Sequence, residues 1–191
     1  MDYLMLVDRF NAVPKLYEQG VQLSEIQGKY LEAQACRQCE MMLADAQNDG
    51  VKLKIISAYR TREYQKMLWE QSVADKILEG YSHSQAEKEV QKTLAVPGHS
   101  EHNAGLAIDF GRPESDDVED DFFRSEQARW LCKNAQRFGF ILRYPRLKEH
   151  ITGISYEPWH YRYVGTEAAM FIKESGLCLE EFLHFYSEKY I

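Results

Sequence analysis

The stretch Gly105-Leu106-Ala107-Ile108-Asp109-Phe110 constrains the fold of this chain more than any other. Its alternation places Leu106, Ile108 and Phe110 on one face of a strand, with Ala107 and Asp109 on the other. Asp109 is the misfit. A carboxylate in an otherwise apolar strand costs on the order of several kcal/mol unless it is paired or bound to a metal. Any fold of this chain must therefore bring partners to Asp109. Two histidines precede it in PGHSEHNAGLAIDF, His99 and His102. A turn at Ala104-Gly105 can fold His102 back beside the end of the strand. A second segment, EPWHYRYV, supplies Glu157 and His160.

The rest of the chain predicts an α+β fold, a small antiparallel sheet flanked by helices with the site in a central cleft. Residues 29–48 read as a helix with Leu31, Ala35, Met42 and Ala46 on one face, stopped near Gly50. VKLKIIS, 51–57, alternates as a strand with one wet face. Thr61 reads as the N-cap of a helix through about Glu79, with Glu63 in its first turn and Gly80 at its end. Ser84 and Glu87 fit a capping box for a helix to about Ala95, closed by Pro97. A helix over Ser125–Phe138, a strand at 140–144, an extended EPWHYRYV and two short helices at 167–175 and 179–188 complete the reading. The acidic run ESDDVEDD, 114–121, reads as a solvated loop. At 191 residues, without a Gly-, Pro- or Ser-rich linker, the chain reads as one domain. A helical arm over about 1–50 is expected to pack on a catalytic core over about 51–191.

Composition excludes several classes. The net charge of −7 argues against a nucleic-acid surface, which needs a basic stripe. No apolar run approaches the roughly 20 residues of a membrane span. The start, MDYLMLVDRFNAV, lacks the basic region of a signal peptide, and Asp8 and Arg9 interrupt its apolar stretch. The chain as written therefore reads as cytoplasmic, although a catalytic domain excised from an anchored, extracytoplasmic protein would read the same way. Cys36 and Cys39 form a C-x-x-C, but the pair lies within a helical pattern and no second pair exists. Both read as small apolar filler rather than metal or redox ligands. So few cysteines, in no disulfide-like array, favour a reducing compartment.

Two imidazoles and a carboxylate, His102, His160 and Asp109, make a three-ligand zinc set with a fourth position open to water. Zinc lowers the pKa of such a water to about 7. Glu157, close to His160 but not needed as a ligand, suits the general base. Hydrolysis also requires a group to hold the charge developing on the attacked carbonyl. Arg60, at the strand-to-helix junction in SAYRT, can point into a cleft beside a helix N-terminus and suits that role.

SAYRTREYQ, PGHSEHNAGLAIDF, FGFILRYP and HITGISYEPWHYRYVG together carry S-x-x-R, then S-x-H-x6-D, then E-x-W-H. In that order they resemble the VanY/LdcB group of D,D- and L,D-carboxypeptidases, which are zinc metallopeptidases. The resemblance runs from about residue 4 to 185. It implies that His102, Asp109 and His160 hold Zn2+, that Glu157 is base and then acid, and that Arg60 stabilises the oxyanion. It further implies that Ser100 and Gln65 line the substrate pocket, and that His99, at a variable position, is a loop residue.

The implied substrate is a peptidoglycan stem peptide or precursor ending in D-alanine, and the implied setting includes vancomycin resistance. VanX-like dipeptidases carry Asp where this chain has Ser57. A neutral serine gives a dipeptide ammonium no counter-charge, which favours longer peptides. The short chain also resembles bifunctional VanXY enzymes, and L,D-carboxypeptidase activity stays open. From another class, a domain binding zinc or cell-wall peptide without catalysis would not need Glu157 or Arg60.

Overall fold

The structure, a computed structural model, describes residues 2–190. After a short helix α1, Lys15–Gly20, a hairpin joins β1, Leu23–Ile26, to β2, Lys29–Glu32. Gln27 and Gly28 both take positive φ, 49° and 72°. Two such residues form the tight turn whose twist suits an antiparallel ribbon. The expected helix over 29–48 therefore loses its first four residues to β2, and helix α2 runs over Ala33–Asn48. Glu32 sets that start, because its side chain accepts from the backbone N–H groups of Gln34 and Ala35. The first fifty residues accordingly contain a hairpin as well as helices, where the sequence predicted a helical arm.

A four-stranded antiparallel sheet follows. Its strands are β3, Lys54–Ser57, β4, Ala107–Gly111, β5, Phe140–Leu142, and β6, His160–Tyr163, in the order β3-β4-β6-β5. The register sets Ser57 opposite Asp109 and Asp109 opposite His160. Alternation then sorts the strands. Ile108, Phe110, Tyr161 and Tyr163 join the main apolar core with Val13, Leu31, Cys39, Met42 and Phe122. Asp109, His160 and Arg162 share the opposite side of the pleat. Cys36 and Cys39 are buried, free thiols on α2, as small filler should be.

Between β3 and β4 lie α3, Arg62–Leu78, and α4, His83–Val90. Thr61 caps α3 as expected, its hydroxyl accepting from the Tyr64 N–H. The capping box of α4 sits two residues earlier than predicted, on Ser82 and Gln85, and the helix ends at Val90 rather than Ala95. Two overlapping S-x-x-Q/E patterns in SHSQAE explain the shift. Past the acidic loop, a 3₁₀ turn at Asp120–Arg124 precedes α5, Glu126–Asn134. The last turn of the expected 125–138 helix tightens into a 3₁₀ segment before Gly139. Helices α6, Glu149–Thr152, α7, Thr166–Ser175, and α8, Leu179–Tyr190, complete the fold. Among the described residues no helix is long and apolar enough to cross a membrane.

Candidate metal centre and active site

A 3₁₀ turn over Glu101–Ala104 leads into β4 and carries His102. It closes at Gly105, whose φ is +68°. A side chain there would meet Leu23 Cδ2 at 3.0 Å and the Glu32 backbone nitrogen at 3.1 Å. Only glycine suits both the left-handed backbone and the close approach of the hairpin. The turn brings His102 to the Asp109 side of β4, with Nε2 3.2 Å from Asp109 Oδ2. His102 Nδ1 lies 2.6 Å from the Ala58 carbonyl oxygen. That carbonyl takes the Nδ1 proton and leaves the Nε2 lone pair facing the site.

Across the sheet, His160 Nδ1 is 2.9 Å from Asp109 Oδ1, and its Nε2 points the other way, toward Glu101. One ligand atom from each of His102, Asp109 and His160 lies within 4.8 Å of the others, and all three residues are buried. The donor set, two imidazole nitrogens and a carboxylate, fits a zinc ion with a position left open. Arg60 is tied to the same cluster. Arg60 Nη2 donates to Asp109 Oδ2 at 2.8 Å and lies 3.0 Å from His102 Nε2.

The charges follow from this geometry. Burial and then the Arg60 charge push His102 down to about 4. Burial opposes protonation of His160 as well, but hydrogen bonds to Asp109 and Glu101 outweigh it and lift the ring to about 9. Burial likewise opposes ionisation of Asp109, but the hydrogen bond and charge of His160 hold the carboxyl well below its usual range. Glu157 is different. Its carboxylate lies 3.8 Å from His160 Nδ1, and burial raises it to about 8. A carboxyl raised to that range suits general acid–base work.

All seven residues singled out in the sequence, Arg60, Gln65, Ser100, His102, Asp109, Glu157 and His160, line one cavity of about 400 Å³. Arg60 is held from three sides. Its Nε donates to Ser57 Oγ at 2.9 Å, its Nη1 to Gln65 Oε1 at 3.3 Å, and its Nη2 reaches the ligand cluster. The Gln65 amide also donates to the Ala95 carbonyl oxygen at 2.7 Å. Gln65 thus orients Arg60 as well as lining the cavity. Ser100 Oγ accepts from the His102 N–H at 3.3 Å, which leaves its own hydroxyl proton to donate. His99 is engaged elsewhere, through Nδ1 to the Asp8 carbonyl oxygen at 2.7 Å. Trp159 packs against the core and lines the cavity.

The roles of three lining or supporting residues escaped the sequence reading. Tyr144 is tilted over the His160 ring, centroids 4.9 Å apart. Ser57, read only as a neutral substitute for Asp, accepts from Arg60. Glu101 hid inside the S-E-H triplet, where its carboxylate has no pattern to betray burial. The one signal for it is chemical: the second nitrogen of a ligand histidine calls for an acceptor.

The VanY D-alanyl-D-alanine carboxypeptidase family model matches residues 28–166. A D-alanyl-D-alanine carboxypeptidase of Enterococcus faecalis (strain ATCC 700802 / V583) is 42% identical over 182 residues, covering 95% of this chain and 65% of that protein. The chain thus spans just under two thirds of that relative's length. The solved structure of VanYB in complex with D-alanine-D-alanine superposes with a TM-score of 0.86 at 42% identity, covering 95% of this chain and 97% of that one. A variant of the vancomycin resistance D,D-pentapeptidase VanY, solved in complex with Zn(II), gives 0.85 at 40% identity, covering 96% and 99%. The chain belongs to the VanY D-alanyl-D-alanine carboxypeptidase family.

Proposed function

We propose that this chain is a zinc-dependent D,D-carboxypeptidase that removes the terminal D-alanine from peptidoglycan stem peptides or their precursors. One observation carries the reading. Three buried ligand groups converge in a cavity that Glu157, itself buried, lines with its carboxylate 3.8 Å from His160 Nδ1. The relatives solved with Zn(II) and with D-alanine-D-alanine support the metal and the substrate class.

His102 Nε2, Asp109 and His160 Nδ1 would hold the zinc. When bound, zinc supplies Lewis-acid polarisation of the scissile carbonyl and acidifies the attacking water. Glu157 takes the proton of that water and delivers it to the leaving nitrogen of the terminal residue. Arg60, held by Ser57 and Gln65, donates to the oxygen on which negative charge develops. Ser100 donates its hydroxyl to the free carboxylate of the terminal D-alanine. Ser57 is already an acceptor for Arg60, so that position presents no anion to a dipeptide ammonium. This favours a longer peptide over free D-alanyl-D-alanine.

A substrate panel tests the reading. Zinc-loaded protein is offered D-alanyl-D-alanine, a pentapeptide ending in D-alanyl-D-alanine and a tetrapeptide ending in D-alanine after an L-centre. Alanine release from the pentapeptide alone is expected. Release from the dipeptide as well gives a bifunctional enzyme, release from the tetrapeptide alone gives an L,D-carboxypeptidase, and release from none leaves a binding domain.

A further inference from the structure

Behind the candidate metal centre lies a closed ionic network that the proposed chemistry does not use. Glu101, 2% exposed, sits at its middle. Its two oxygens are loaded unequally. Oε1 accepts from Arg143 Nε at 2.7 Å and from Arg162 Nη1 at 2.8 Å. Oε2 faces His160 Nε2 at 3.4 Å. One oxygen is anchored by two guanidinium groups, and the other is aimed at the imidazole.

The anchors are themselves fixed. Arg162 donates through Nη2 to the carbonyl oxygens of Tyr3, at 3.1 Å, and Met5, at 2.9 Å. Arg143 forks onto Glu180 in the first turn of α8, Nη1 to Oε2 at 2.9 Å and Nη2 to Oε1 at 2.7 Å. Both arginine side chains are fully buried. Two guanidinium groups balance two carboxylates, so Glu101 sits there as a carboxylate without leaving net buried charge. A bidentate arginine–carboxylate pair also fixes geometry as well as charge.

We propose that Glu101 is the positioning residue for His160, and that α8 holds it in place through Glu180 and Arg143. The Glu101 carboxylate accepts the Nε2 proton of His160, which turns Nδ1 toward Asp109 and the metal position. Carboxylates that take the second N–H of a ligand histidine orient the ring and raise its basicity. Glu180 lies beyond residues 28–166, the part matched by the family model. The first turn of α8 is thus part of the metal site's support. This inference rests on the reading that His102, Asp109 and His160 bind a divalent ion.

The test is zinc affinity by chelator competition, with the visible spectrum of the Co(II)-loaded protein as a second readout and thermal melting as the check on folding. Glu101→Gln is expected to weaken zinc binding by about 10- to 100-fold and to alter the Co(II) bands. Should that variant fail to fold, Glu101→Asp, whose shorter carboxylate falls short of His160, replaces it with the same expected and overturning results; Glu180→Gln tests the helix, because Glu180 lies outside the ligand cluster and is partly exposed. It is expected to weaken zinc by about 2- to 30-fold and to shift the same bands, with Glu180→Asp recovering part of the loss. Parental affinity and spectrum in a folded Glu101→Gln overturn the role of Glu101. The same result in Glu180→Gln overturns the role of α8. A parent protein that binds no zinc overturns the metal reading itself, and this inference with it.

Discussion

Asp109 and His160 are register partners in the β4–β6 ladder, and their side chains meet with Oδ1 and Nδ1 2.9 Å apart. Two of the three candidate ligand groups are thus set by sheet pairing, which is stiff. The third, His102, is set by a turn that pairs with the N-terminal hairpin. Backbone register, more than loop conformation, fixes the spacing of the site.

The turn is the vulnerable part. Gly105→Ala would force a left-handed backbone on a residue whose Cβ meets Leu23 and the Glu32 nitrogen. The Gly105 carbonyl oxygen also accepts from that N–H at 2.8 Å. A loss of about 1–3 kcal/mol is expected in urea unfolding. An unchanged midpoint would show that the hairpin can yield.

Arg60 is held by a fork that lysine cannot reproduce. Arg60→Lys keeps the charge but loses the simultaneous bonds to Ser57, Gln65 and Asp109. The turnover number is expected to fall by about 10²–10³, with zinc content unchanged by metal analysis. Ser57→Ala, which loosens the fork without removing it, should cost much less. Equal losses in both variants would place the function of Arg60 in its orientation alone.

The metal-free protein should show a distinctive pH profile. His160 at about 9, against an ordinary 6.5, contributes stability that is full below pH 6.5 and lost as pH rises through 9. Glu157, lifted from 4.5 to about 8, works in the same direction between those values. His102, lowered to about 4, contributes the opposite slope, but only between pH 4 and 6.5. The melting temperature of metal-free protein should therefore fall between pH 6.5 and 9. The gain from added zinc should grow across the same window, because zinc replaces the His160 proton. A flat or rising melting curve in that range would contradict the proton assignment.

Much of this site was legible because Asp109 breaks an apolar alternation, and because His160 and Glu157 share one short segment. The strand pattern also told which face Asp109 takes. What the sequence hid depends on contacts far apart in the chain. Glu101 meets Arg143 and Arg162 some forty and sixty residues on, at |i−j| of 42 and 61, and nothing local marks it as buried. The helix expected at 29–48 began late because a positive-φ turn at Gln27-Gly28 recruits 29–32 into a hairpin, overriding helical periodicity. Ser57 read as a specificity position, and its bond to Arg60 was hidden because the bulge between Ile55 and Ser57, which sets its register against Asp109, leaves no sequence signature.

The central claim is that Glu157 moves the proton at a zinc site formed by His102, Asp109 and His160. The most direct measurement is D-alanine release from a pentapeptide by zinc-loaded parent and Glu157→Gln proteins, with zinc content determined for both. Release by the parent is expected, with a rate lower by about 10²–10⁴ in a variant carrying the same zinc. A zinc-replete Glu157→Gln protein that turns over at the parental rate would contradict it.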